Sequence, residues 1–133
     1  MAPGGPMAES DSTARADAER MISITQQRQE NGVVVLAVAG ELDLLTTQGL
    51  EERLKEVLSP PNAAVVLDLS GVQFLGSAAL STLLACAESA KVGGVDFRLV
   101  ATERTTLRPL EITGVQSSFT IFDSVEEAVS SVS

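Results

Sequence analysis

Ser77, in the stretch "FLGSAALSTLL" (74–84), is the residue best placed for chemistry, because its hydroxyl stands directly ahead of an apolar run with helical spacing. Two roles are open to it. As an N-cap, its oxygen would accept from the amides of Ala79 or Leu80, worth on the order of 1 kcal/mol. Alternatively, the unpaired donors and positive dipole end of a helix start let a phosphate be held and sensed there. A phosphoryl group adds about −1.5 to −2 charges, enough to disrupt a closely packed partner interface by repulsion and desolvation. A second polar stretch, "GELD" (Gly40, Glu41, Leu42, Asp43), reads either as a tight turn whose Asp43 satisfies local backbone groups or as a charged rim beside the Ser77 loop.

Other chemistries lack their parts. The sequence has no histidine, so the commonest general base and the commonest neutral metal ligand are both missing. Its only lysines, Lys55 and Lys91, do not stand in an S-x-x-K arrangement, and Gly71, Gly76, Gly93 and Gly94 spell neither a P-loop nor a dinucleotide fingerprint. Glu51, Glu52 and Glu56 read as a solvated helix face. Cys86, the sole cysteine, has no intramolecular partner, and its place between Leu83 and Ala87 suits a small core residue in a reducing, cytoplasmic interior. A binding protein is therefore expected, with no catalytic residue, no metal and no cofactor.

The elements that position these residues follow from periodicity. Ile22 and Ile24 alternate with polar residues, Asn31-Gly32 makes a hairpin turn, and Val33 to Ala39 is apolar on both faces, as a strand inside a sheet should be. Leu50, Leu54, Val57 and Leu58 give a helix stripe, with Thr46 or Thr47 as its cap and Pro60-Pro61 as its stop. Ala63 to Ser70 reads as a buried strand, followed by a loop over "GVQFLG" and a helix over roughly 77–91 with Leu80, Leu83, Leu84 and Ala87 inward; Gly93-Gly94 ends it. "VDFRLVA" and "SFTIF" supply two more strands. Between them "TERTTLRPLEITG" has a helical pattern that Pro109 should kink or delay. Asp123, three residues ahead of Glu126, suggests a capping box for a terminal helix. Strands alternating with helices imply an α/β layer of about five strands and four helices, its opening hairpin antiparallel.

At 133 residues and 44% hydrophobic composition the chain fits one packed domain plus a tail. Residues 1–20, rich in Ala, Gly, Pro, Ser and charge without the apolar core of a signal peptide, read as a disordered tail, and 21–133 as the domain. Of the net charge of −9, the tail's four acids and two bases carry −2, leaving −7 on the domain. Such acidity repels nucleic-acid backbones and anionic membrane surfaces, and no apolar run approaches the roughly 20 residues of a membrane span.

Four blocks in order, "VAGELDLLTT", "VVLDLSGVQFLGSAALSTLL", "VGGVDFRLVATERTTLRPLEITGV" and "FTIFDSVEEAV", resemble the STAS-domain, anti-sigma factor antagonist family of bacteria, over about residues 22–129. The resemblance implies a small mixed sheet flanked by helices, acting as a protein-binding switch. Such proteins bind an anti-sigma factor, often an ATP-dependent serine kinase, and free a sigma factor for transcription; phosphorylation of the antagonist reverses the grip. The family's acceptor is the second hydroxyl of an Asp-Ser-Ser/Thr-Gly-Leu stretch. Here the stretch reads Gly76-Ser77-Ala78-Ala79-Leu80, so the acceptor position is Ala78, the acidic position Gly76 and the glycine Ala79. Ala78 has no oxygen to modify, and Ser77, a substitute acceptor one residue away, is turned by about 100 degrees along a helix start. The implied protein binds its partner through Gly40 to Asp43 and Gly76 to Leu80 but is not switched by the usual phosphorylation, leaving synthesis level, Cys86 or the tail to regulate it. A monomer or weak dimer is expected. The alternative from another class is a STAS module that senses a small ligand or nucleotide within a signalling complex.

Overall fold

The computed structural model describes residues 22–132. Its elements are β1 (Ile22–Arg28), β2 (Val33–Leu42), α1 (Leu44–Val57), β3 (Ala64–Leu75), α2 (Ser77–Gly93), β4 (Asp96–Val100), α3 (Arg104–Ile112), a 3-10 turn (Gln116–Ser118), β5 (Thr120–Phe122) and α4 (Val125–Ser130). The expectation of a disordered tail over 1–20 lies outside the described residues.

The strands form one sheet in the order β1-β2-β3-β4-β5. β1 and β2 are antiparallel, joined by a turn in which Gly32 has φ 82, and the remaining pairs are parallel. Period-two alternation then divides the apolar residues between the two faces. Val34, Leu36, Val38, Val65, Leu67 and Leu69 join the main core with Leu50, Leu54 and Val57 of α1, Leu80, Leu83 and Cys86 of α2, and Leu110 of α3. Val33, Val35, Ala64, Val66 and Val100 face the other way and meet Ala128 of α4. Burial on both faces is why the central strands read as continuous apolar runs. Arg98 secures α4: its guanidinium donates to the Ala128 carbonyl at 3.1 Å and the Ser131 hydroxyl, is held by Asp96 at 2.9 Å, and lies 5.1 Å from the Phe122 ring centroid.

Several boundaries differ from the sequence-based expectation, each for a local reason. β3 does not end at Ser70 but continues through "GVQFL" to Leu75, and β2 runs past Ala39 to Leu42, because the two keep pairing across register shifts at Ala37/Ala39 and Gly40/Glu41. Gly71 permits that approach, since a Cβ on it would lie 2.8 Å from the Ala39 Cβ. α1 starts at Leu44, capped by Asp43 rather than by Thr46 or Thr47. α4 is capped by Ser124, whose hydroxyl accepts from the Glu127 amide, so no box forms from Asp123. α3 starts at Arg104 and holds Pro109 inside it, so the start is not delayed. α2 ends as expected, with Gly94 left-handed at φ 77, a conformation that costs glycine little. Its inward stripe is Ala79, Leu80, Leu83, Cys86 and Ala90, with Leu84 and Ala87 only partly buried.

Candidate functional site

The two stretches singled out in the sequence meet where adjacent parallel strands deliver their C-terminal ends. The Gly76 amide donates to the Leu42 carbonyl at 3.0 Å, just beyond the pairs Glu41↔Phe74 and Leu42↔Leu75. One backbone bond thus ties the β2–α1 junction to the β3–α2 junction. Burial at the end of each strand fixes where the chain turns outward: Leu42 and Leu75 are both buried, while Glu41 and Phe74 face solvent.

On the β2 side, Gly40 has φ 114, a region L side chains avoid, and it sits at the register shift that brings Glu41 opposite Phe74. Asp43 then closes the loop as a helix cap. Its Oδ1 accepts from the Leu45 amide at 3.0 Å and the Thr46 amide at 2.9 Å. The Thr46 hydroxyl in turn accepts from the Asp43 amide at 3.0 Å and donates to the Glu41 carbonyl at 2.6 Å. This is a capping box with threonine in the position usually held by Glu or Gln. The Thr46 amide foremost, helped by the Thr46 hydroxyl and the Leu45 amide, holds the Asp43 carboxyl below the usual carboxylate range against the opposing effect of partial burial. Of the two readings of "GELD", local backbone satisfaction by Asp43 is observed; it occurs at a helix start rather than in a tight turn. Glu41 is exposed beside it.

On the β3 side the expected cap is corrected. The N-cap of α2 is Gly76, no side chain caps the helix, and Ser77 is its first helical residue. A hydroxyl at that position lies one residue too late to reach back-facing amides of its own first turn in the N-cap manner. The Leu80 amide is instead satisfied by the Gly76 carbonyl at 3.1 Å. Ser77 is exposed, Ala78 half-buried, and Ala79 and Leu80 lie in the core. Of the nine residues expected to form the binding surface, Leu42, Ala79 and Leu80 are therefore buried beneath it. Glu41 and Ser77 are exposed, with Gly40, Asp43, Gly76 and Ala78 between these extremes.

Cys86 is buried as expected, and loss of solvent, with Glu51 nearby, pushes its thiol up; a thiol held protonated in this way is a poor nucleophile.

Sequence reasoning missed three residues at the site. Leu44, Leu45 and Phe74 are 74%, 55% and 50% exposed. A signal for the leucines existed: five and six positions before Leu50, they are out of phase with the inward stripe of α1. Placing the helix start after them concealed it.

Residues 25–128 match the model of the STAS domain family, and the chain belongs to that family. It is 42% identical over 103 residues to the protein of Mycobacterium tuberculosis named anti-sigma-F factor antagonist RsfB, covering 77% of this chain and 83% of that one. A second protein of that organism, anti-sigma-F factor antagonist RsfA, is 30% identical over 112 residues, with 82% and 86% covered. The crystal structure of an anti-sigma factor antagonist from Mycobacterium paratuberculosis superposes with a TM-score of 0.76 at 33% identity, over 84% of this chain and 93% of that one. The mixed five-stranded sheet with four helices is the arrangement these comparisons share.

Proposed function

We propose that the chain is an anti-sigma factor antagonist, which binds an anti-sigma factor of the serine-kinase type and so frees a sigma factor, acting by occupancy and without catalysis. The observation that carries this reading is the tie between the Gly76 amide and the Leu42 carbonyl, which makes one surface of the two stretches the family resemblance points to. The names of the relatives support the same role. Within that surface Gly40, Glu41, Asp43, Gly76, Ser77 and Ala78 contribute contact or shape, while Leu42, Ala79 and Leu80 set the loops from below.

The resemblance drawn from the sequence assigns the family's phosphoacceptor position to Ala78, which is half-buried and has no oxygen, and on that assignment phosphorylation of the usual kind does not release the partner. Ser77 is the nearest hydroxyl. As the first residue of α2 it projects in a different direction from the residue that follows, by about 100 degrees, which takes it out of reach of a kinase aligned on the next position.

The test is to mix the purified chain with candidate anti-sigma factors in the presence of ATP, follow complex formation by calorimetry, and then weigh the intact chain. A stable complex with one of them and no mass gain equal to a phosphoryl group is expected. Stoichiometric phosphorylation of Ser77 with release would overturn the unswitchable reading, and failure to bind any anti-sigma factor would overturn the function.

A further inference from the structure

The site carries an apolar group that its polar residues do not account for. Leu44, Leu45 and Phe74 are at least half exposed, and all three belong to the two chain segments joined by the Gly76–Leu42 bond. The leucines follow Leu42 by two and three residues, and Phe74 precedes Gly76 by two. Single exposed leucines are ordinary on a protein surface, but three large apolar side chains exposed on two joined segments point to a contact.

Gly76 shows how the ring is seated. Its backbone, φ −84 and ψ 174, is extended and open to any residue, so conformation does not call for glycine. A Cβ there would lie 3.0 Å from Phe74 Cε2 and 3.3 Å from the Leu42 carbonyl oxygen. The edge of the ring therefore lies close over Gly76, where a side chain would crowd both the ring and the Leu42 carbonyl.

We infer that Leu44, Leu45 and Phe74, with Phe74 seated on Gly76, form the apolar anchor of the binding surface, and that the protein partner offers it an apolar pocket with a basic side chain at the edge. This rests on the antagonist reading above and names the chemistry of its partner. Charge selects that occupant. Glu41, exposed, is the strand neighbour of Phe74, so an acid flanks the ring. The net charge of −9 opposes a second copy of the chain and an anionic lipid surface, each of which would bring more negative charge to the patch. A protein surface with basic residues around an apolar pocket meets both features, and half-exposed aromatic rings of this kind carry a large share of interface energy when enclosed.

The experiment measures, by calorimetry, the affinity of variants for the anti-sigma factor that binds the wild-type chain, with thermal melts followed by circular dichroism to verify folding. The double variant Leu44→Ser/Leu45→Ser and the single variant Gly76→Val are each expected to weaken binding by about 10- to 100-fold. Gly76→Ala, which places only a methyl group under the ring, is expected to weaken it by a smaller factor. Val92→Ser, at the far end of α2 and 83% exposed, should bind like wild type. Wild-type affinity in a folded Leu44→Ser/Leu45→Ser variant overturns the anchor while leaving the antagonist reading intact. Should that variant not fold, unchanged affinity in both Gly76 variants overturns the seating of Phe74. A wild-type chain that binds no anti-sigma factor overturns the function, and the named partner with it.

Discussion

Asp43 combines two properties that are separable by substitution: it accepts the first amides of α1, and it places a carboxylate beside Glu41. Asn is about as good an N-cap as Asp because its carbonyl oxygen accepts in the same geometry, whereas Ala leaves the amides of Leu45 and Thr46 unpaired. Asp43→Ala should therefore lower stability at pH 7 by about 1 kcal/mol, and Asp43→Asn by a few tenths at most, as read from urea titrations. Since the folded carboxyl is held below its ordinary range, the wild-type cap contributes fully above the unfolded pKa near 4 and is lost as pH falls through the lower folded value. The Asn variant lacks that titrating group, so its stability should decline less steeply than wild type over the same acid range.

At the scale of the element, β2 and β3 extend past their uniformly apolar runs because Gly71 lets the strands close up against Ala39. Gly71→Ala would force a methyl group to 2.8 Å from the Ala39 side chain. Overpacking of this kind typically costs 1 to 3 kcal/mol, roughly; thermal unfolding of the variant measures it, and an unchanged midpoint would show that the two strand ends yield freely. The same region explains what was legible in the sequence. The stripe of α1, the two-faced strands, the Asn31-Gly32 hairpin and the Gly94 stop follow from local rules, in which a residue's type and its spacing decide the outcome. The ends of β2 and β3 do not, because they depend on one strand finding the other across some thirty residues of chain. "GVQFLG" has the look of a loop when read alone and becomes a strand only beside Gly40 and Glu41. Caps fall between these cases. Asp43, Thr46 and Thr47 all carry an oxygen able to cap a helix, and a cap at Thr46 or Thr47 puts Leu44 and Leu45 ahead of α1, where their phase against its inward stripe has no meaning.

For the whole molecule, acidity is the dominant feature, with 18 acidic against 9 basic residues. Complementary charge on a partner accelerates encounter more than it lengthens the life of the complex, and salt screens the long-range part. Stopped-flow measurements at rising ionic strength should thus show the association rate falling several-fold between about 0.05 and 0.5 M salt, with a much smaller change in dissociation. Equal sensitivity of both rates would mean that short-range ion pairs, rather than the field of the molecule, dominate. The family resemblance was visible in the ordered blocks of sequence, because they record the strand ends and helix starts of a shared architecture; the apolar anchor was not, because exposure is a property of the assembled surface.

The join between the two loops is made by a main-chain donor and a main-chain acceptor. Replacement of the exposed Ser77 or the half-buried Ala78 changes the chemistry offered to a partner without touching that join. On the function proposed above, losing or regaining a phosphoacceptor would turn such a chain from a regulated part into a permanent one, or back again, while its frame stays unchanged.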